Sequence, residues 1–349
     1  MAGMTATDQR PNAIETLAER KSSPGLFVGL DIGGTKTAVL VSDWSMNVLG
    51  WGAAPTITGS PRALVDGIYR AVEDALAARG LKTADLMAVG AGVPGMVDPQ
   101  TGVVQLAVNL NLQSFPLGPA LSERFGVPVV LENDVRAASL GAYRWLKTIS
   151  PQRFMAYLSI GTGISAGLVA DGRLYRGAHG MAGEIGHVIF DPNGDRCACG
   201  LSGCLETISA GPSIARQWAH NGGTAEEVFL AAKQGDLAAQ LVIQHAAQGV
   251  ARAVQLLVMA YDIDMVVLGG GVMNAGDAFL EPIHAALAEM RAQSALAERM
   301  LAADKVVAAP KEADVARWGA VMLAFLAFDN PGARSLAGTQ SQIGVKKNA

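Results

Sequence analysis

Three cysteines in 349 residues, all within eight positions, constrain this chain more than any other feature. Cys197 and Cys199 flank one alanine, Cys204 follows five residues later, and His187 lies ten residues upstream. Three thiolates and an imidazole make one closed tetrahedral zinc site. The Gly-, Asn- and Asp-rich stretch between His187 and Cys197 lets the chain bend back on itself, and Gly200 and Gly203 allow the tight turns of a small metal loop. Free cysteine also packs as an inert small hydrophobe, but that role gives no reason to cluster in a polar, Gly-rich segment. A disulfide fits less well, because Cys197 and Cys199 are too close to pair easily and an odd count leaves one thiol over. Four protein ligands leave no open position, so such a zinc is structural, and the chemistry lies around it. Glu184 and Glu206 bracket the cluster, where a metal-held loop fixes both.

Reduced cysteines used as metal ligands place the chain in the cytoplasm. A length of 349 residues suits two lobes rather than one small core, and 50% apolar with 17% charged residues describes a globular protein. The net charge of −4 argues against a nucleic-acid-binding surface. No apolar run is long enough to span a bilayer, since the longest, Val254–Met273, is broken by Asp262 and Asp264.

Residues 1–24 and 329–349 read as flexible tails. Phe27–Leu30, Thr37–Ser42 and Val48–Trp51 read as an antiparallel meander with a Gly-Gly turn. Apolar residues at Leu64, Val65, Ile68, Ala71, Val72, Ala75 and Leu76 predict a helix over Pro61–Arg79 with one buried face. Strands follow at Leu86–Gly92 and Val127–Leu131, then a helix at Val135–Leu146. The pattern starts again with strands at Phe154–Ile160 and Ser165–Ala170. After the cysteine loop come helices at Gly211–Trp218, Ala225–Ala232 and Leu237–Tyr261, a strand at Met265–Leu268, a helix at Asp277–Ala292, a strand at Val306–Ala309 and a closing helix at Ala313–Ala327. Two halves of this kind predict duplicated α/β lobes, 25–134 and 135–312, with the closing helix packed back on the first and a cleft between them.

Three glycine-bearing turns could meet a ligand. Asp31-Ile-Gly-Gly-Thr-Lys36 offers bare backbone at Gly33 and Gly34, a hydroxyl at Thr35 and a cation at Lys36, with Asp31 placed to hold Mg²⁺ directly or through water. An ordinary Asp-initiated hairpin turn explains the same residues. Gly161-Thr162-Gly163 is the equivalent turn in the second half, and together the two could grip one polyphosphate. Gly269-Gly270-Gly271 follows a strand, which suits either a nucleotide lying on bare backbone or helix–strand crowding. Asp134, at a strand end, suits a helix N-cap and a general base alike. Asn133 beside it and Asn109 in a loop are further polar candidates.

With these segments in order, the chain resembles the ROK family of repressors and sugar kinases from Phe27 to about Leu326. Asp31–Lys36 looks like its first phosphate motif, Gly92-Val-Pro-Gly-Met-Val-Asp98 like its hinge-side loop and Glu132-Asn-Asp134 like its catalytic segment. Gly183-Glu-Ile-Gly-His187 with the cysteine loop to Glu206 looks like its zinc signature. The resemblance implies a duplicated actin-like, ribonuclease-H-like fold and ATP-dependent phosphorylation of a hexose at the 6-hydroxyl, with glucose ahead of fructose, mannose and N-acetylmannosamine. It implies Asp134 as base, with Asn109, Asn133, Glu184, His187 and Glu206 around the sugar. It implies ATP with Mg²⁺, structural Zn²⁺, and a homodimer or higher homo-oligomer. His187 then serves zinc with one ring nitrogen while its ring lies near the sugar. Arg136 stands where glucokinases of the family often carry asparagine, and a guanidinium facing the base lowers its pKa. The family's repressors carry a DNA-binding domain ahead of this region, and the short stretch before Phe27 is expected to be too small for one; a non-catalytic sugar sensor is the other rival.

Overall fold

A computed structural model describes residues 25–150, 152–218 and 223–329. The expected tails lie outside the described residues, except that Asp329 ends the last helix instead of opening a tail.

Strands β1 (Leu26–Ile32), β2 (Lys36–Ser42) and β3 (Val48–Pro55) form the expected meander. Helix α1 (Pro61–Ala77) starts where the Ser60 side chain accepts the Ala63 N–H, and it buries the seven apolar positions that set its period. Strand β4 (Leu86–Val93) adds parallel to β1. The chain then inserts a small antiparallel sheet of β5 (Met96–Asp98), β6 (Val103–Ala107) and β7 (Leu112–Phe115), followed by helix α2 (Leu117–Phe125). Strand β8 (Val129–Asn133) closes the first sheet in the order β3-β2-β1-β4-β8. It runs two residues beyond its expected end, because Glu132 is paired with arginines inside the protein and so does not stop the strand.

Helix α3 (Asp134–Lys147) carries the chain to the second half. There β9 (Phe154–Ile160), β10 (Ile164–Ala170) and β11 (Arg173–Tyr175) repeat the meander. After the cysteine loop come helices α4 (Leu205–Ser209), α5 (Gly211–Trp218), α6 (Ala225–Lys233) and α7 (Leu237–Tyr261). Strand β12 (Met265–Gly269), helices α8 (Asp277–Gln293) and α9 (Ala295–Met300), strand β13 (Val306–Ala308) and helix α10 (Val315–Asp329) complete it. The second sheet runs β11-β10-β9-β12-β13, the same order and the same mix of antiparallel and parallel pairs as the first. This is the duplicated actin-like α/β fold.

Each sheet is covered on both faces, as parallel pairs require. Helices α1 and α2 share a core with the first sheet, and α6, α7 and α8 with the second. On the inner faces α10 packs on the first sheet through Trp318, Val321 and Ala324, and α3 packs on the second through Leu140 and Tyr143. The two inner helices meet through glycines: a Cβ on Gly141 would collide with the Val315 carbonyl, and one on Gly319 with that of Ala137. The closing helix α10 thus packs against the first sheet. No helix among the described residues is long and apolar enough to cross a membrane.

Candidate functional site

The carboxyl ends of β1, β4 and β8 lie side by side and bring Asp31, Gly92 and Asp134 together. Asp31 is paired with Gly92 in the β1/β4 register, and a Cβ on Gly92 would meet Asp134 Cα at 3.3 Å. Burial pushes the Asp31 carboxyl up to about 6; the Asp134 and Asp314 carboxylates add to the rise, while Arg317 and Lys36 oppose it. A divalent cation relieves such a crowd of carboxylates, which fits Asp31 to the Mg²⁺ role. In the turn after it, Gly33 N–H donates to Lys36 O at 2.9 Å, leaving Thr35 and Lys36 exposed. Gly34 is bare because Asn109 lies against it: a Cβ there would meet Asn109 O at 2.9 Å. Asn109, exposed on a short 3₁₀ turn over Val108–Leu110, therefore joins this group.

Asn133, not Asp134, caps α3. Its Oδ1 accepts the N–H groups of Val135 at 3.1 Å and Arg136 at 3.2 Å. Its Nδ2 donates to Gly95 O at 3.2 Å and to Asp134 Oδ1 at 2.9 Å. These four bonds use the whole amide, so in this conformation Asn133 orients its neighbour and offers no free group of its own. Asp134 Oδ1 also accepts the Val135 N–H at 2.9 Å, which leaves Oδ2 for a hydroxyl proton. Burial raises the Asp134 pKa, while hydrogen bonds and the Arg136 guanidinium pull it back. Arg136 does act in the direction expected of it, but burial outweighs it; its Nε donates to Glu132 Oε1 at 2.8 Å.

The second-half turn sits at the edge of a cavity of about 740 Å³, within the range of about 300–1,000 Å³ typical of small-molecule sites. Gly161, Thr162 and Gly271 line it with Pro212, Thr224, Glu226, Phe229, Val272, Asn274 and Lys311. Gly161 O accepts the Gly211 N–H at 2.8 Å, which ties the turn to the start of α5. The glycine triplet divides between its two readings. A Cβ on Gly269 would strike the Tyr157 hydroxyl and one on Gly270 the Ile160 backbone, so both are bare for packing; only Gly271 is open, and it faces the cavity. Tyr157 bridges the two groups of residues. It lies near Gly270 and Ser159 and within the field of Asp31 and Asp134, and burial pushes its hydroxyl up to about 12.

The cysteine loop brings its four candidate ligands together. One ligand atom each from His187, Cys197, Cys199 and Cys204 falls within 4.8 Å of the others. Cys197 Sγ lies 3.6 Å from His187 Nδ1, and Cys199 Sγ lies 3.6 Å from Cys204 Sγ. Zinc–sulfur bonds of about 2.3 Å at the tetrahedral angle place two sulfurs roughly 3.8 Å apart, so these residues fit Zn²⁺. The loop presents Glu184 exposed at one end. At the other, Glu206 Oε2 accepts the Ile164 N–H at 3.1 Å and occupies the space a Cβ on Gly163 would need. Gly163 therefore serves the carboxylate, not the cavity.

Several of these residues escape sequence reasoning. Thr224 and Glu227 form a capping box that marks the start of α6, a signal for a helix end at the cavity wall. Phe229, Asn274 and Lys311 carry no local pattern that points to a ligand.

Comparison with known proteins adds four findings. The model of the ROK family matches residues 27–326. A glucokinase from Halalkalibacterium halodurans is 34% identical over 276 residues, covering 74% of this chain and 83% of the relative; a xylose repressor from Caldicellulosiruptor bescii is 28% identical over 276 residues, covering 74% and 69%. The solved structure of a ROK family glucokinase from Streptomyces griseus, in complex with glucose and AMPPNP, superposes with a TM-score of 0.69 at 29% identity, covering 86% of this chain and 100% of that one.

Proposed function

The chain belongs to the ROK family, and on that premise we propose that it phosphorylates a hexose, glucose first, at the 6-hydroxyl with ATP as donor. The observation that carries this reading is Asp134, held through Oδ1 by Asn133 with Oδ2 free, among strand ends that converge on Asp31. The sugar oxygen attacks the γ-phosphorus, the bond between that phosphorus and the β–γ bridging oxygen breaks, and ADP leaves with the electron pair. Asp134 Oδ2 takes the hydroxyl proton and aims the oxygen. The transition state of such a transfer is loose, so positioning and charge neutralisation dominate.

The cavity over Gly161, Thr162 and Gly271 takes the nucleotide, with Phe229 and Val272 as apolar walls for the base and Lys311 as a cation at its edge. Asp31 is the residue that would hold Mg²⁺, which neutralises charge on the phosphates when bound. Lys36 and the Gly34–Thr35 backbone reach the same phosphates from the first half. Asn109, Glu184, His187 and Glu206 take the sugar hydroxyls; a site built of such groups rejects sugars that leave them unpaired. His187, Cys197, Cys199 and Cys204 would hold Zn²⁺, which fixes the loop that carries Glu184 and Glu206.

The glucose- and AMPPNP-bound relative supports both substrates. The repressor relative makes a sugar-binding regulator the second reading; the free Oδ2 of Asp134 favours catalysis over it. A coupled assay of ADP release over glucose, mannose, fructose and N-acetylmannosamine tests the reading. Glucose should give the highest kcat/KM, and ADP release that no hexose increases would refute it.

A further inference from the structure

We propose that Glu132 and Arg176 form a tie between the two lobes that sets the sugar-side segment 176–187 against Asn133 and Asp134. Arg176 is then a positioning residue for sugar binding that acts through Glu132. The inference rests on the kinase reading above and adds to it two residues outside that chemistry.

Glu132 is wholly buried at the end of β8, in the first sheet. Its Oε1 accepts Arg136 Nε at 2.8 Å and the Asn133 N–H at 3.0 Å. Its Oε2 accepts Arg176 Nε at 2.7 Å. Arg176 follows β11, so this last bond joins one lobe to the other. A buried carboxylate is tolerated only when its oxygens are paired, and removing one partner leaves an uncompensated charge. Arg136 alone leaves Oε2 bare, so Arg176 completes the set. Its own side chain is 38% exposed, so its far end reaches solvent while its Nε holds the buried carboxylate.

From Arg176 the chain leads straight to the sugar-facing loop. Arg176 O accepts the Ala182 N–H at 3.1 Å, and Gly183 O accepts the Ala166 N–H at 2.8 Å. Gly183 has φ of +98°, and both it and Gly186 lie so close to the β10 backbone that a Cβ on either would collide with it. Glu184 and His187 therefore sit on a segment pinned to its own sheet by glycines and to the other lobe by the Arg176 guanidinium. The same carboxylate that grips Arg176 takes the N–H of Asn133, the residue that caps α3 and orients Asp134. One anion thus links the sugar segment to the base.

The test uses the full-length, zinc-loaded protein. Glucose and ATP kinetics are measured for wild type, Arg176→Met, Arg176→Lys, Glu132→Gln and the Arg176→Met/Glu132→Gln pair, each checked by thermal melting. Arg176→Met should raise KM for glucose by about tenfold while KM for ATP stays within about twofold, and Arg176→Lys should recover part of the loss, since an ammonium keeps the charge but not the geometry. The double variant should lose no more than the worse single one, as expected for groups that act as one unit. A folded Arg176→Met with the wild-type KM for glucose overturns the proposal, and so does a double variant whose losses add. Should Glu132→Gln fail to fold, the two Arg176 variants still decide. A wild type without sugar-dependent ADP release removes the kinase reading and this inference with it; an active wild type matched by Arg176→Met removes the inference alone.

Discussion

Glu206 Oε2 accepts a hydrogen bond from the Ile164 N–H at 3.1 Å, two residues after Cys204 and one after Gly163. The end of the cysteine loop is thereby fastened to the turn at the edge of the large cavity. On the proposed reading, the zinc loop and the phosphate-side turn are one mechanical unit, so changes in either are expected to reach both substrates.

Loss of the metal is the first consequence. Cys199→Ala removes one of the four proposed zinc ligands at an exposed position. We expect the variant to carry less than stoichiometric zinc by atomic spectroscopy and to lose most activity, because Glu184 and Glu206 lose their anchor. Full activity in a zinc-free protein would show that the loop stands without metal.

Gly271 and Gly270 should separate ligand contact from packing. Gly271→Ala meets nothing within 4 Å, so it should leave the melting temperature unchanged and raise KM for ATP by narrowing the cavity. Gly270 has φ of +88° and lies on the Ile160 backbone, so Gly270→Ala should lower the melting temperature. Equal effects of the two on stability and on KM would contradict the division of the triplet.

Asp31 makes a pH-dependent prediction. Its folded pKa, about 6, stands above the ordinary value of 3.8. The folded state therefore binds the proton more tightly than the unfolded chain, and ionising Asp31 costs stability as pH rises from about 4 to about 6. Asp31→Asn should melt higher than wild type at pH 7, with the difference shrinking toward zero near pH 4, while activity falls. A melting difference independent of pH would mean that the carboxyl is not held under strain by its neighbours.

A sugar that touches both lobes favours their approach. Small-angle scattering should show a smaller radius of gyration with saturating glucose than without. An unchanged radius, with binding confirmed by calorimetry, would place the sugar within one rigid lobe.

Much of this was legible in the sequence, for identifiable reasons. Helix α1 was readable because its seven apolar positions repeat at the helical period, and the gathering of His187 with the three cysteines because all four are local in sequence. The duplication was readable from the order of elements, although the two halves share little visible sequence. Strands β5 to β7 were not, since each is short and mixes buried with exposed residues without clean alternation. The end of β8 is not legible because a glutamate usually signals solvent, and only the fold brings Arg176, 44 positions away, to pair with it. Asn133 and Asp134 cannot be told apart as helix caps from sequence, because either residue type serves as one; the hydrogen bonds assign the cap to Asn133. The cavity wall at Phe229, Asn274 and Lys311 is assembled from three distant segments and leaves no local trace.

The central claim is that Asp134 is the base of a phosphoryl transfer to a hexose, and one comparison tests it most directly. Glucose-dependent ADP release is measured for wild type and Asp134→Asn, with glucose binding and melting recorded on the same samples. Because Asn133 supplies the cap, Asp134→Asn should fold and bind glucose as wild type does while kcat falls by about 10²–10⁴-fold. A folded, glucose-binding Asp134→Asn that turns over at the wild-type rate would contradict the account.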